Sequence, residues 1–113
     1  ASRNVRVLAR RSAAVVLQGE PVPDELPQAL DTLAGAVRAL RDELAAQREP
    51  TKAREQALVA VRTAGEAYRA GVGFSGSAVV AQLRGAVVDL LRATGVTEER
   101  ADRLVDAASR DEP

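Results

Sequence analysis

The chain has 113 residues, with 16 Lys and Arg balancing 16 Asp and Glu, 46% apolar and 28% charged residues, the profile of one globular domain. It contains no cysteine and no histidine, which excludes disulfides, iron–sulfur clusters, thiolate or imidazole zinc sites, cysteine nucleophiles and the Ser-His triad. The apolar residues are 23 Ala, 15 Val and 12 Leu with one Phe, one Tyr and no Ile or Met, so the core must come from small and medium aliphatic side chains on closely approaching helices.

Five helical segments and no strand are predicted. In Ser2–Gln18, Val5, Leu8, Ser12, Val15 and Val16 fall on one side of a helical wheel, opposite Arg3, Arg6 and Arg10. Gly19 caps this segment and Pro21 prevents its continuation. The second segment begins at Asp24 as N-cap, with Pro27 at the third helical position where a missing N–H breaks no helical bond. Its apolar residues Leu26, Leu30, Leu33, Val37, Leu40 and Leu44 form a heptad seam running to about Arg48, which implies an intramolecular bundle partner.

Glu49-Pro50 breaks the pattern, and Thr51 is the expected cap of a third segment with Leu58, Val61, Gly65 and Tyr68 on one face. The short connection makes the second and third segments an antiparallel hairpin. After Gly71-Val72-Gly73, Ser75 or Ser77 is expected to cap a fourth segment. There Val79, Val80, Leu83, Val87, Leu90 and Leu91 oppose Gln82, Gly85, Asp89 and Arg92. Gly95 ends it, and Thr97, Glu98 and Glu99 open a short fifth segment with Ala101, Leu104, Val105 and Ala108 inward.

Three patterns could be mistaken for chemistry. Gly71-Val72-Gly73-Phe74-Ser75-Gly76 matches the glycine spacing of a phosphate loop, but an amphipathic helix precedes it where that motif needs a strand. It reads instead as a Gly C-cap, a turn and a Ser N-cap, with an anion resting on the amides near Ser75 and Ser77 as the lesser alternative. Arg3, Arg6, Arg10 and Arg11 lie in a stretch without acids. Zero net charge and two aromatics argue against nucleic-acid binding, leaving a solvated face or a face toward another part of the protein or anionic lipid. The segment Leu33 to Glu49, with Arg38, Arg41 and Arg48, has a Leu/Arg/Asp rhythm that resembles the all-helical chorismate mutases, but these arginines point to no shared pocket. They fall away from the leucine seam where a buried substrate would sit, and Gln82 with Asp89 reads as a polar edge.

Two stretches, RNVRVLARRSAAVVLQGEPVP (Arg3 to Pro23) and SGSAVVAQLRGAVVDLLRATG (Ser75 to Gly95), resemble the C-terminal soluble part of actinobacterial FUSC-family membrane proteins, the fusaric-acid-resistance and aromatic-acid-exporter group. A chain that begins at Ala1 and lacks methionine reads as a fragment of a longer protein. The resemblance implies transmembrane helices N-terminal to it, a role in efflux of aromatic carboxylic acids or similar compounds, and a helical domain on the cytoplasmic side of the membrane.

The expected fold is therefore all-α. It is a bundle of about five helices, antiparallel and four-helix-bundle-like, with residues 1–113 as one domain. No catalytic residue, cofactor or metal is expected. The expected interaction face is Arg3, Arg6 and Arg10. Partners would be the remainder of its own membrane protein and a further copy in a homo-oligomer, with no nucleic acid and no transmembrane segment in these residues. The alternative is a free-standing adaptor that binds another protein.

Overall fold

Alanine- and leucine-rich stretches bounded by Pro23, Pro50, the Gly71–Gly73 turn and Gly95 each fold as one helix. The structure, a computed structural model, describes residues 22–110. These form α1 (Glu25–Ala45), α2 (Thr51–Ala70), α3 (Phe74–Ala93) and α4 (Glu98–Ser109), with no strand among the described residues. The all-α expectation holds. The count of about five is corrected to four among the described residues, because the segment Ser2–Gln18, with Arg3, Arg6 and Arg10, lies outside them.

α1 and α2 form the expected antiparallel hairpin. Gly35 lies opposite Gln56, and Glu43 lies opposite Lys52 and Ala53. α4 packs on α2 and α3, whereas α1 packs along α2 and touches only part of α3. One continuous core joins all four helices. α3 contributes its largest share, with Val79, Val80, Leu83, Val87, Leu90 and Leu91 all buried as expected. An 18-residue window of α3 reaches a mean hydropathy of 1.2, enough by length and composition to cross a membrane, and 44% of that window is buried in the bundle.

The seam of α1 is rotated from its expected position. Leu26 and Leu33 are buried and Leu30 and Leu40 half-buried, but Val37 is 42% exposed and Leu44 55%. Ala29, Ala36, Ala39 and Glu43 take the buried places instead. The cause is the facing surface of α2, where Ala53, Ala57, Ala60, Ala64 and Ala67 are fully buried. Alanine set against alanine lets two backbones approach closely, which displaces longer side chains to the flank. On α2, Val61 and Gly65 are buried as expected, Leu58 is half-buried, and Tyr68 is 58% exposed rather than inward.

The helix ends differ from the expected caps in three places. α1 stops at Ala45, short of Arg48, in a turn where the Arg48 N–H donates to the Glu43 carbonyl at 2.8 Å and the Gln47 N–H to the Leu44 carbonyl at 3.1 Å. This six-to-one and five-to-two pattern needs a left-handed residue, and Gln47 supplies it at φ 58°. α3 ends the same way, with Gly95 at φ 98° in that role. A glutamine pays a steric cost there that glycine avoids. Gln47→Gly is therefore expected to raise stability by up to about 1 kcal/mol, read as a higher urea midpoint at unchanged slope.

At the start of α2, Pro50 and not Thr51 holds the N-cap position, because Thr51 is already helical. Proline has no side-chain acceptor, so the cap comes from elsewhere in the chain. At the start of α3, Gly73 holds the N-cap position and neither Ser75 nor Ser77 caps; the helix begins at Phe74. Two expectations stand. Asp24 occupies the N-cap of α1, although its side chain makes no cap bond. Thr97 caps α4 by accepting from the Arg100 N–H at 3.2 Å, with Glu98 and Glu99 at the positive helix end.

Candidate functional site

Three side chains reach across to the ends of neighbouring helices, each with the sign that opposes the helix dipole. The Glu43 carboxylate accepts from the Lys52 N–H at 3.1 Å and the Ala53 N–H at 2.9 Å, capping the start of α2. Arg54 donates from Nε to the Thr94 hydroxyl at 2.8 Å and from Nη2 to the Thr94 carbonyl at 2.6 Å, closing the end of α3. Arg69 donates from Nη1 to the Ser109 carbonyl at 3.0 Å, closing the end of α4. These contacts fix how the four helices sit against one another and so shape the surface between them.

The best-formed hollow among the described residues lies where α2, α3 and the end of α4 meet, with a volume of about 530 Å³. Its floor is apolar: Val61, Gly65 and Val80 are buried beneath it, beside Ala81. Gly65 is needed for this packing, because a Cβ there would stand 2.8 Å from the Ser109 carbonyl oxygen. The rim carries Tyr68 and Ser77 together with Arg69, Arg84 and Arg110, and among the described residues no carboxylate lines it. Arg84 pairs with Asp106 at 2.7 Å from outside the lining. A second hollow at the α3–α4 turn mixes Asp89 and Glu98 with Arg92.

The residues singled out in the sequence fall elsewhere. The expected face Arg3, Arg6 and Arg10 lies outside the described residues, and Arg38, Arg41 and Arg48 are exposed and separate from the groove. Of the glycine-spaced stretch, Gly71–Gly73 form the turn between α2 and α3, with Gly71 at φ 103° ending α2, and Phe74–Gly76 already belong to the first turn of α3. No group of three or more His, Cys, Asp or Glu that could hold a metal occurs among the described residues. Sequence reasoning missed the groove because Arg69, Arg84 and Arg110 stand 15 and 26 residues apart, on α2, on α3 and just past the end of α4. Only the tertiary packing brings them to one rim.

Comparison with known families, curated proteins and solved structures gives no match to this chain.

Proposed function

We propose that the chain is a non-enzymatic helical assembly module whose docking surface is the second apolar flank of α1. The observation that carries this is the exposure of Val37 and Leu44 on a helix whose core contacts are already satisfied by Leu26, Leu33 and a row of alanines. Leu30, Val37 and Leu44 recur every seven residues, with Ala34 between the first two, so they form a second seam beside the first. A helix with two apolar seams and one filled neighbour is suited to receive another helix.

The resemblance of Arg3–Pro23 and Ser75–Gly95 to FUSC-family proteins supports a setting for this module: the cytoplasmic side of a membrane exporter. There it would assemble, stabilise or regulate the transmembrane part. Its partner is then the remainder of its own protein, and Arg3, Arg6 and Arg10 would face that remainder or the anionic membrane surface.

The test uses Val37→Ser with Leu44→Ser in the chain and in the full-length gene product. Stability of the chain should change by less than about 1 kcal/mol, since both side chains are already largely exposed. Accumulation and oligomer size of the full-length protein in membranes should fall. Unchanged assembly would overturn the reading, and a full-length product without membrane segments would leave the free adaptor in place of the exporter.

A further inference from the structure

We propose that one end of the bundle, marked by Tyr68 and Phe74, is a contact surface for a phospholipid bilayer, with both rings seated at the boundary between headgroups and acyl chains. The inference rests on the membrane setting proposed above and adds which end of the bundle meets the bilayer. It makes no use of the seam on α1.

The topology gathers four helix ends at this place. α1 starts, α2 ends, α3 starts and α4 ends there, since α1 and α2 are antiparallel, Gly71–Gly73 alone joins α2 to α3, and the Arg69 side chain reaches the Ser109 carbonyl at 3.0 Å. Tyr68 stands in the last turn of α2 and Phe74 is the first residue of α3. They are the only two aromatic residues of the chain, and they are 58% and 88% exposed. Phe74 stays outside because the ground beside it is taken. Val72 packs so closely over Gly76 that a Cβ on the glycine would stand 2.8 Å from the valine Cβ.

Two observations select a bilayer over a protein partner. The other large exposed apolar residues, Val37, Leu44 and Val59, lie along the sides of helices, so the two rings form a small cap and not a seam into which a helix would fit. A tyrosine with an apolar body and a polar tip, beside a phenylalanine, suits a depth where one side is hydrocarbon and the other is wet. The second observation is where the chain enters. Residues 1–21 join the described part at Val22, beside the start of α1, and their sequence sets Val5, Leu8, Val15 and Val16 opposite Arg3, Arg6 and Arg10, the composition of a segment that lies in a membrane interface. Exposed charged groups of both signs, among them Asp24, Glu66 and Arg69, stand at the same end, so the contribution of the bundle end itself is apolar and not electrostatic.

The experiment measures partition of the full chain onto phosphatidylcholine vesicles, alone and with equimolar phosphatidylglycerol, by co-sedimentation. Phe74→Ser should lower the partition about tenfold and Tyr68→Ser about threefold, following how much of each ring is free to enter the bilayer. Both side chains are largely exposed, so helical circular dichroism should be unchanged in either variant. Phosphatidylglycerol should strengthen binding of the wild type and of Phe74→Ser by the same factor, because its attraction acts through Arg3, Arg6 and Arg10. The chain has no tryptophan, so Phe74→Trp carries a single reporter whose emission should move to shorter wavelength when phosphatidylcholine vesicles are added. Val59→Trp, on the side of α2, should not respond. The proposal is overturned if the wild type does not bind these vesicles, if Phe74→Ser binds them equally well, or if the emission of Phe74→Trp stays unchanged. It is equally overturned if, without lipid, the wild type gains mass with concentration and Phe74→Ser does not, which would assign this end to a second copy. The paired Val37→Ser and Leu44→Ser variant should partition like the wild type, which separates this contact from the assembly seam; a loss as large as that of Phe74→Ser would place the bilayer against α1 instead.

Discussion

Leu33→Asp is expected to destabilise the chain by about 3–5 kcal/mol, enough to unfold much of it at room temperature if its total stability is typical for its size. Leu33 is only 4% exposed, between Ala29 and Ala36 on the face of α1 that meets α2. The substitution removes an aliphatic side chain from a close-packed layer and puts a carboxylate into the apolar core, so the cavity and the desolvation terms add. Val37→Asp, four residues on, should cost under about 1 kcal/mol because Val37 is already 42% exposed. Arg38→Asp on the exposed side should cost as little. Urea midpoints of the three variants decide the point. Equal losses at Leu33 and Val37 would mean that α1 is turned about its axis, with the second seam buried.

That contrast also marks how far the sequence could be read. The apolar period placed four helices to within a few residues at each end, and on α3 it named the buried side chains as well. α3 was legible because valine and leucine stand on one arc with polar residues opposite, so size and burial agree. α1 was not, because its largest aliphatics lie on two adjacent seams four residues apart, Leu26–Leu33–Leu40 and Leu30–Val37–Leu44. Which seam faces inward is decided by the alanine row of α2, a property of the pair rather than of either helix. Alanine is weakly hydrophobic and a strong helix former, so its burial leaves little trace in a hydropathy pattern.

The groove was illegible for a related reason. Its arginines, two on helices and Arg110 just past the end of α4, each stand where a surface arginine needs no explanation, and only the meeting of three helices brings them to one rim. The caps divide along the same line. Thr97 was readable because its acceptor serves its own helix three residues on. Gln47 carried no signal, since glutamine is not a residue that favours the left-handed conformation it adopts.

Glu43 is the clearest case of a residue whose role depends on the fold, and its removal is expected to have the second-largest effect. It lies on α1 next to Leu44, and the leucine would ordinarily be assigned to the core; the glutamate is the buried one, at 7% exposure. It can be buried because its two oxygens each accept an N–H, from Lys52 at 3.1 Å and from Ala53 at 2.9 Å. Those donors belong to the first turn of α2, which Pro50 leaves without a local side-chain cap. The positive end of the α2 dipole adds to the attraction. Glu43→Ala leaves both amides without their acceptor, and a hydrogen bond to a charged group contributes about 1.5–3 kcal/mol. The two bonds share one carboxylate at a helix end that water can partly reach, so the expected loss is about 2–3 kcal/mol in total. Glu43→Gln keeps one acceptor oxygen and turns an amide donor toward the other N–H, so it should recover less than half of that. Two measurements check this: chemical denaturation of both variants, and amide hydrogen exchange at Lys52 and Ala53. Exchange at those two amides should accelerate in Glu43→Ala more than exchange in the middle of α2. If the two variants are equally stable and the exchange is unaltered, the carboxylate does not cap α2, and the hairpin is held by its alanine seam alone.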